Sequence, residues 1–236
     1  MTAEQLSTLD FFAGGMPAGA IFQQNALEIK KLFCAKSDKA IGKTLEELCF
    51  IGLVSYFEAF SRDNFASLIN ICPKLLDRLK SKSHDVNIDS LTALEMHGTL
   101  RYKIGFLVCE RFDFGNAQKI NSFYSALIGI TPFSKDEIST FDRLLSDRNL
   151  LVHHGGIYTH SYFRQRLGAN LVKERPFMDS LVVDSAYVES QFKFLYGIAE
   201  KIVNASHEAM NKQINYGELP IDEPGQRALS MFNWWE

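Results

Sequence analysis

The chain has 236 residues, enough for one substantial core, with hydrophobic and charged fractions of 46% and 22% that are ordinary for a globular protein. A formal net charge of -3 excludes a protein that coats nucleic acid indiscriminately, though it leaves room for a local anion site. Cys34, Cys49, Cys72 and Cys109 show no paired spacing, so they read as reduced, buried thiols of a cytoplasmic protein, neither a disulfide framework nor a zinc site.

In chain order, residues 1 to 22 read as an irregular arm. Its apolar run from Phe11 to Phe22 is interrupted by Gly14, Gly15, Pro17 and Gly19 and is too short to span a bilayer, so no membrane segment is expected. Asn25 to Ala35 has helical periodicity and ends near Lys36-Ser37-Asp38-Lys39. Thr44 and Glu47 fit a capping box ahead of a helix that is apolar almost all round, from Leu45 to Phe57, and therefore central. Glu58, near its end, is expected to be desolvated on at least one side. A second apolar segment, Phe65 to Leu79, is kinked or divided by Pro73.

Asp89 or Ser90 caps a helix over Leu91 to Phe112, in which Gly98 and Gly105 lie seven apart, a spacing that either permits close helix approach or marks tolerated small residues. Asn116 to Gly129 forms the next helix. Ser134 with Glu137 gives another capping box and starts a helix of about five turns. Beyond Gly156, Ile157 to Arg166 and Leu181-Val182-Val183 read as short strands or extended arms, with turn signals at Gly168, Asn170 and Pro176. Asp184 or Ser185 caps a last long helix to about Lys212, whose stripe includes Val188, Phe192, Leu195 and Ile202. A tail from 215 to 236 ends in Trp234-Trp235, which read as an anchored flap or a partner-binding handle.

The chemistry concentrates between Phe141 and Gly156, FDRLLSDRNLLVHHGG. At about 100° per residue, Phe141, Leu144, Leu145, Leu151 and Val152 gather on one face, and Arg148 falls in the middle of it. A guanidinium does not shed its proton, so burying it among leucines requires a carboxylate, a polar partner or a ligand anion. Glu58 is the expected partner, in a structural role. Asn149 and His153 lie one turn apart along the edge of the stripe, and Gly155-Gly156 stop the helix. From Arg143 to Arg175 the bases Arg143, Arg148, Arg164, Arg166, Lys173 and Arg175 are opposed only by Asp147 and Glu174, which gathers positive charge beside the motif. No metal site is expected of His153, His154 and His160, because adjacent histidines on a helix diverge by about 100°.

Arg148-Asn149-Leu150-Leu151-Val152-His153, set on a late helix behind an apolar helix carrying Tyr56-Phe57-Glu58-Ala59-Phe60, resembles the Arg-x4-6-His signature of the HEPN superfamily, with a polar residue directly after the arginine. The resemblance covers about Thr44 to Lys212 and implies an all-α HEPN-like helical bundle, here one domain over 1-236, with extended arms or a minor strand pair after the motif helix. It implies a metal-independent ribonuclease of toxin-antitoxin or antiviral defence systems, without a cofactor. Arg148, Asn149 and His153 would be catalytic, Glu58 and His154 supporting, and Arg143, Arg164 and Arg166 substrate-binding. One copy supplies one strong acid-base group, so the resemblance implies a homodimer with two facing motifs, RNA as substrate, and an antitoxin or defence-system protein as a further partner. In family members silenced by nucleotide transfer a tyrosine lies two residues after the motif histidine; here that position is Gly155, so this form of silencing is not expected. The alternatives are a non-catalytic HEPN module that binds RNA, a nucleotide or a partner protein, and a helical interaction protein with an accidental motif.

Overall fold

Short-range signals set several helix ends. Ser134 Oγ accepts from the Glu137 amide and Glu137 Oε2 accepts from the Ser134 amide at 2.6 Å, closing a capping box ahead of Lys135–His154. Gly155, at φ 58°, terminates that helix, its amide and that of Gly156 returning to the carbonyls of Leu151 and Leu150. Asn116 and Gly129 bracket Ala117–Ile128 in the same way, and Asp184 caps Ser185–Asn215.

The computed structural model describes residues 7–34, 39–166 and 179–235, the side chains of 39–42 excepted. Among them are two 3-10 turns, Thr8–Phe11 and Ala13–Gly15, and ten α-helices. These are α1 (Ala18–Cys34), α2 (Lys39–Ile71), α3 (Leu75–Ser81), α4 (Ser90–Glu95), α5 (Leu100–Cys109), α6 (Ala117–Ile128), α7 (Lys135–His154), α8 (His160–Arg166), α9 (Ser185–Asn215) and α10 (Glu223–Phe232). The described residues are all-α with essentially no strand, and no described helix is long and apolar enough to cross a membrane. Lys36, Ser37 and Asp38, the turn positions Gly168, Asn170 and Pro176, and Lys173, Glu174 and Arg175 lie outside the described residues.

The long α2 packs against α1, α5, α7 and α9 and carries the centre of the core, with Phe50, Leu53, Val54, Phe57, Phe65, Leu68 and Ile69 fully buried. It is continuous where two segments were expected, because Arg62-Asp63 face outward without breaking its hydrogen bonding, and Pro73 divides it from α3. Thr44 therefore lies inside the helix and is not its cap. Nor is α2 covered on every side: Leu48 is 60% exposed and Tyr56 43%.

Gly105 makes the closest approach. A methyl group there would sit 2.1 Å from the Ala66 carbonyl oxygen, and the Gly105 amide donates to buried Asn70 Oδ1 at 2.7 Å. Asn70 Nδ2 in turn donates to the Phe11 carbonyl, tying α2, α5 and the first 3-10 turn together. Gly98 has nothing within 4 Å and lies in the turn that splits the expected helix into α4 and α5.

Elsewhere tertiary packing overrides the expected irregularity. The N-terminal arm is largely ordered, with Phe11 and Phe12 in the core and α1 beginning at Ala18. Ile157 forms a single antiparallel bridge with Ser180, whereas His160–Arg166, expected to be extended, is helical with Tyr162 and Phe163 buried. The tail contains α10, capped by Asp222 and burying Ala228, Leu229 and Phe232. Trp235 rests edge-on against Tyr196 at 4.9 Å and Trp234 is 52% exposed.

Candidate functional site

Helix α7 packs on α2 and α6 with one side and on α8 with another. Phe141, Leu144, Leu145 and Leu151 are buried as the stripe requires. Val152, expected on that face, is 49% exposed, and Leu150 is buried in its place. The covered side of the helix is shifted towards α8.

Arg148 points inward from α7 and its Nη2 donates to Oε1 of Glu58 on α2, in a pair whose side chains are 21% and 25% exposed. Arg148 Nε is buried and has no hydrogen-bond partner among the described residues. Burial pushes the Glu58 carboxyl above the ordinary carboxylate range; the charge and hydrogen bond of Arg148 oppose the shift, and Asp113 adds to it. Glu58 also lines a pocket of about 370 Å³ with Arg62, Phe112 and Asp113, with Gly115 leaving just enough room for the carboxylate.

Asn149 and His153 are exposed on a different side. They line a groove of about 190 Å³ between α7 and α8 together with His154, Thr159, Tyr162 and Gln165. Arg148 is not among its lining residues. Five residues of helix rotate His153 by about 140° from Arg148, so one chain does not bring guanidinium and imidazole onto the same face, contrary to the expected convergence. His154, expected to point away, shares the groove with His153.

The residue missed in the sequence is Asp147, which is 1% exposed. It accepts from Tyr162 Oη and Tyr187 Oη, each at 2.6 Å, and from Arg166 Nη2 at 2.8 and 2.9 Å. Burial and the bond to Asp147 push the Tyr162 hydroxyl up to about 12 and that of Tyr187 higher still. The cluster joins α7, α8 and α9. Arg166, expected to bind substrate, is therefore committed to Asp147, with Arg166 Nε also donating to Tyr162 Oη. Arg143 and Arg164 are exposed, with no ion pair among the described residues. Nothing in the local pattern announces Asp147, since its tyrosine partners lie 15 and 40 residues further on.

Compared with family models, curated proteins and solved structures, the chain matches none.

Proposed function

We propose that the protein is a HEPN-like endoribonuclease that cuts RNA without a metal ion, works as a homodimer, and serves as a toxin or defence effector with a protein partner in the cytoplasm. The observation that carries this reading is the solvent-open groove at the end of α7, where His153, His154 and Asn149 stand together. An imidazole can take the ribose 2′-hydroxyl proton or protonate the leaving 5′-oxygen. Attack of that 2′-oxygen on phosphorus then breaks the bond to the 5′-oxygen and leaves a 2′,3′-cyclic phosphate and a 5′-hydroxyl. In this reading Asn149 holds a phosphate oxygen, and a second copy supplies the second acid-base group. The resemblance also gives Arg148 the part of a fork-shaped cation for developing negative charge, which requires it to leave Glu58 and to act on a phosphate held by the second copy, since it does not line the groove of its own chain.

The second reading, a non-catalytic module that binds RNA, a nucleotide or a protein, is favoured by one observation. Arg148 is already neutralised by Glu58 and does not line the groove.

The test is incubation of mixed-sequence labelled RNA with the wild type, His153→Ala and Arg148→Ala in excess chelator, with folding checked by circular dichroism. Cleavage that leaves cyclic-phosphate ends and falls by about 10²- to 10⁴-fold in His153→Ala is expected. A folded, dimeric wild type that cuts none of several RNAs would transfer the assignment to the binding module.

A further inference from the structure

The His153 groove does not end at the motif. A second groove of about 470 Å³ runs along the same side of α7, and Ser146 and Gln165 line both, so the two form one channel along α7 that α8 walls at its His153 end. The channel begins at Lys135 in the first turn of α7 and ends at His153 and His154 in its last. At 1.5 Å per residue its length along the helix is about 27 Å.

The charges along it are uneven. Lys135 and Arg143 are exposed and have no ion pair among the described residues, whereas Arg166 beside them is bound to Asp147. The carboxylate in this stretch is Asp142, which burial pushes above its ordinary range. Two uncommitted cations thus lie upstream of the acid-base groups, with Arg143 about 15 Å along the helix from His153.

Resting on the ribonuclease reading, we infer that this channel is a track for one strand of RNA, in which Arg143 and Lys135 hold a backbone phosphate remote from the bond that is cut. A strand too short to reach from His153 to Arg143 loses the remote contact, so dinucleotides are poor ligands and longer strands are good ones. Arg166 has a positioning part only, tying α8 to α7 through Asp147.

The test measures binding apart from cleavage, by fluorescence anisotropy with a 12-nucleotide 2′-O-methyl oligoribonucleotide (on the order of twice the span of the channel) and with a 2′-O-methyl dinucleotide. Neither can be cut by 2′-oxygen attack. Expected are tight binding of the longer strand, much weaker binding of the dinucleotide, and severalfold loss of the longer strand in Arg143→Ala and Lys135→Ala, each lowering the salt slope by about 0.7. Equal affinities for both lengths, unchanged binding in both variants, or no binding by the wild type would each overturn the track. RNA cleavage separates the two claims. Cleavage that is indifferent to Arg143→Ala leaves the ribonuclease standing without the track, and Arg143-dependent binding without cleavage leaves the track without the ribonuclease.

Discussion

Asp147 and Arg148 are neighbours in the chain and opposites in their surroundings. Asp147 is sealed from solvent and receives bonds from two hydroxyls and a guanidinium, so its charge and hydrogen-bonding capacity are met within the protein. Arg148 has one carboxylate partner, which is itself raised by burial, and a buried Nε donor left over among the described residues. A saturated polar cluster rigidifies a fold, whereas an unsaturated one retains capacity for a ligand. The difference assigns the first residue to architecture and leaves the second with a donor that a ligand can take.

The largest expected effect tests the architectural side. Asp147→Ala leaves the Arg166 charge and two tyrosine hydroxyls without their acceptor and is expected to cost about 3 to 5 kcal/mol of folding free energy. Urea denaturation read by far-ultraviolet circular dichroism measures it. Glu58→Ala, in a pair that retains access to water, is expected to cost less, roughly 1 to 3 kcal/mol. Glu58→Gln keeps an acceptor for Arg148 and should cost less again. If Glu58→Ala proves more damaging than Asp147→Ala, the assignment of roles to the two residues is reversed.

The smallest effect is in the pH dependence. Exposed tyrosine ionises near 10, and in the folded chain Tyr162 is held up to about 12. A raised folded pKa means that this contribution to stability is complete below pH 10 and drains away as the pH climbs from 10 towards 12. Tyr187 and Tyr158 are shifted in the same direction. Stability measured across that range should fall more steeply in the wild type than in Tyr162→Phe; parallel curves would show that the cluster does not hold its protons.

Much of the helix framework could be read from adjacent residues. Ser134, Glu137 and Gly155 frame α7, and Asn116, Gly129 and Asp184 mark other ends, because a cap is decided within three or four residues of chain. The continuity of α2 through Arg62-Asp63, the helical state of His160–Arg166 and the helix in the tail were not legible, since each depends on apolar surface supplied from far along the chain. At the site, the local pattern marked Arg148 as a buried cation in need of a partner and named Glu58 as a candidate. It gave no account of Asp147, and it placed Arg166 with the substrate.

The sequence by itself thus determined an all-α chain, the starts of α4, α6, α7 and α9, and the presence of a charged residue within the apolar face of α7. Only the tertiary structure decided which way that helix is turned. The rotation brings Asp147 under Tyr162 and Tyr187, directs Arg148 to Glu58 and leaves His153 to the open groove. The reason is physical: the period of a helix fixes the angles between its own residues, but the packing of α2, α6, α8 and α9 around it selects which of those angles meets protein and which meets water.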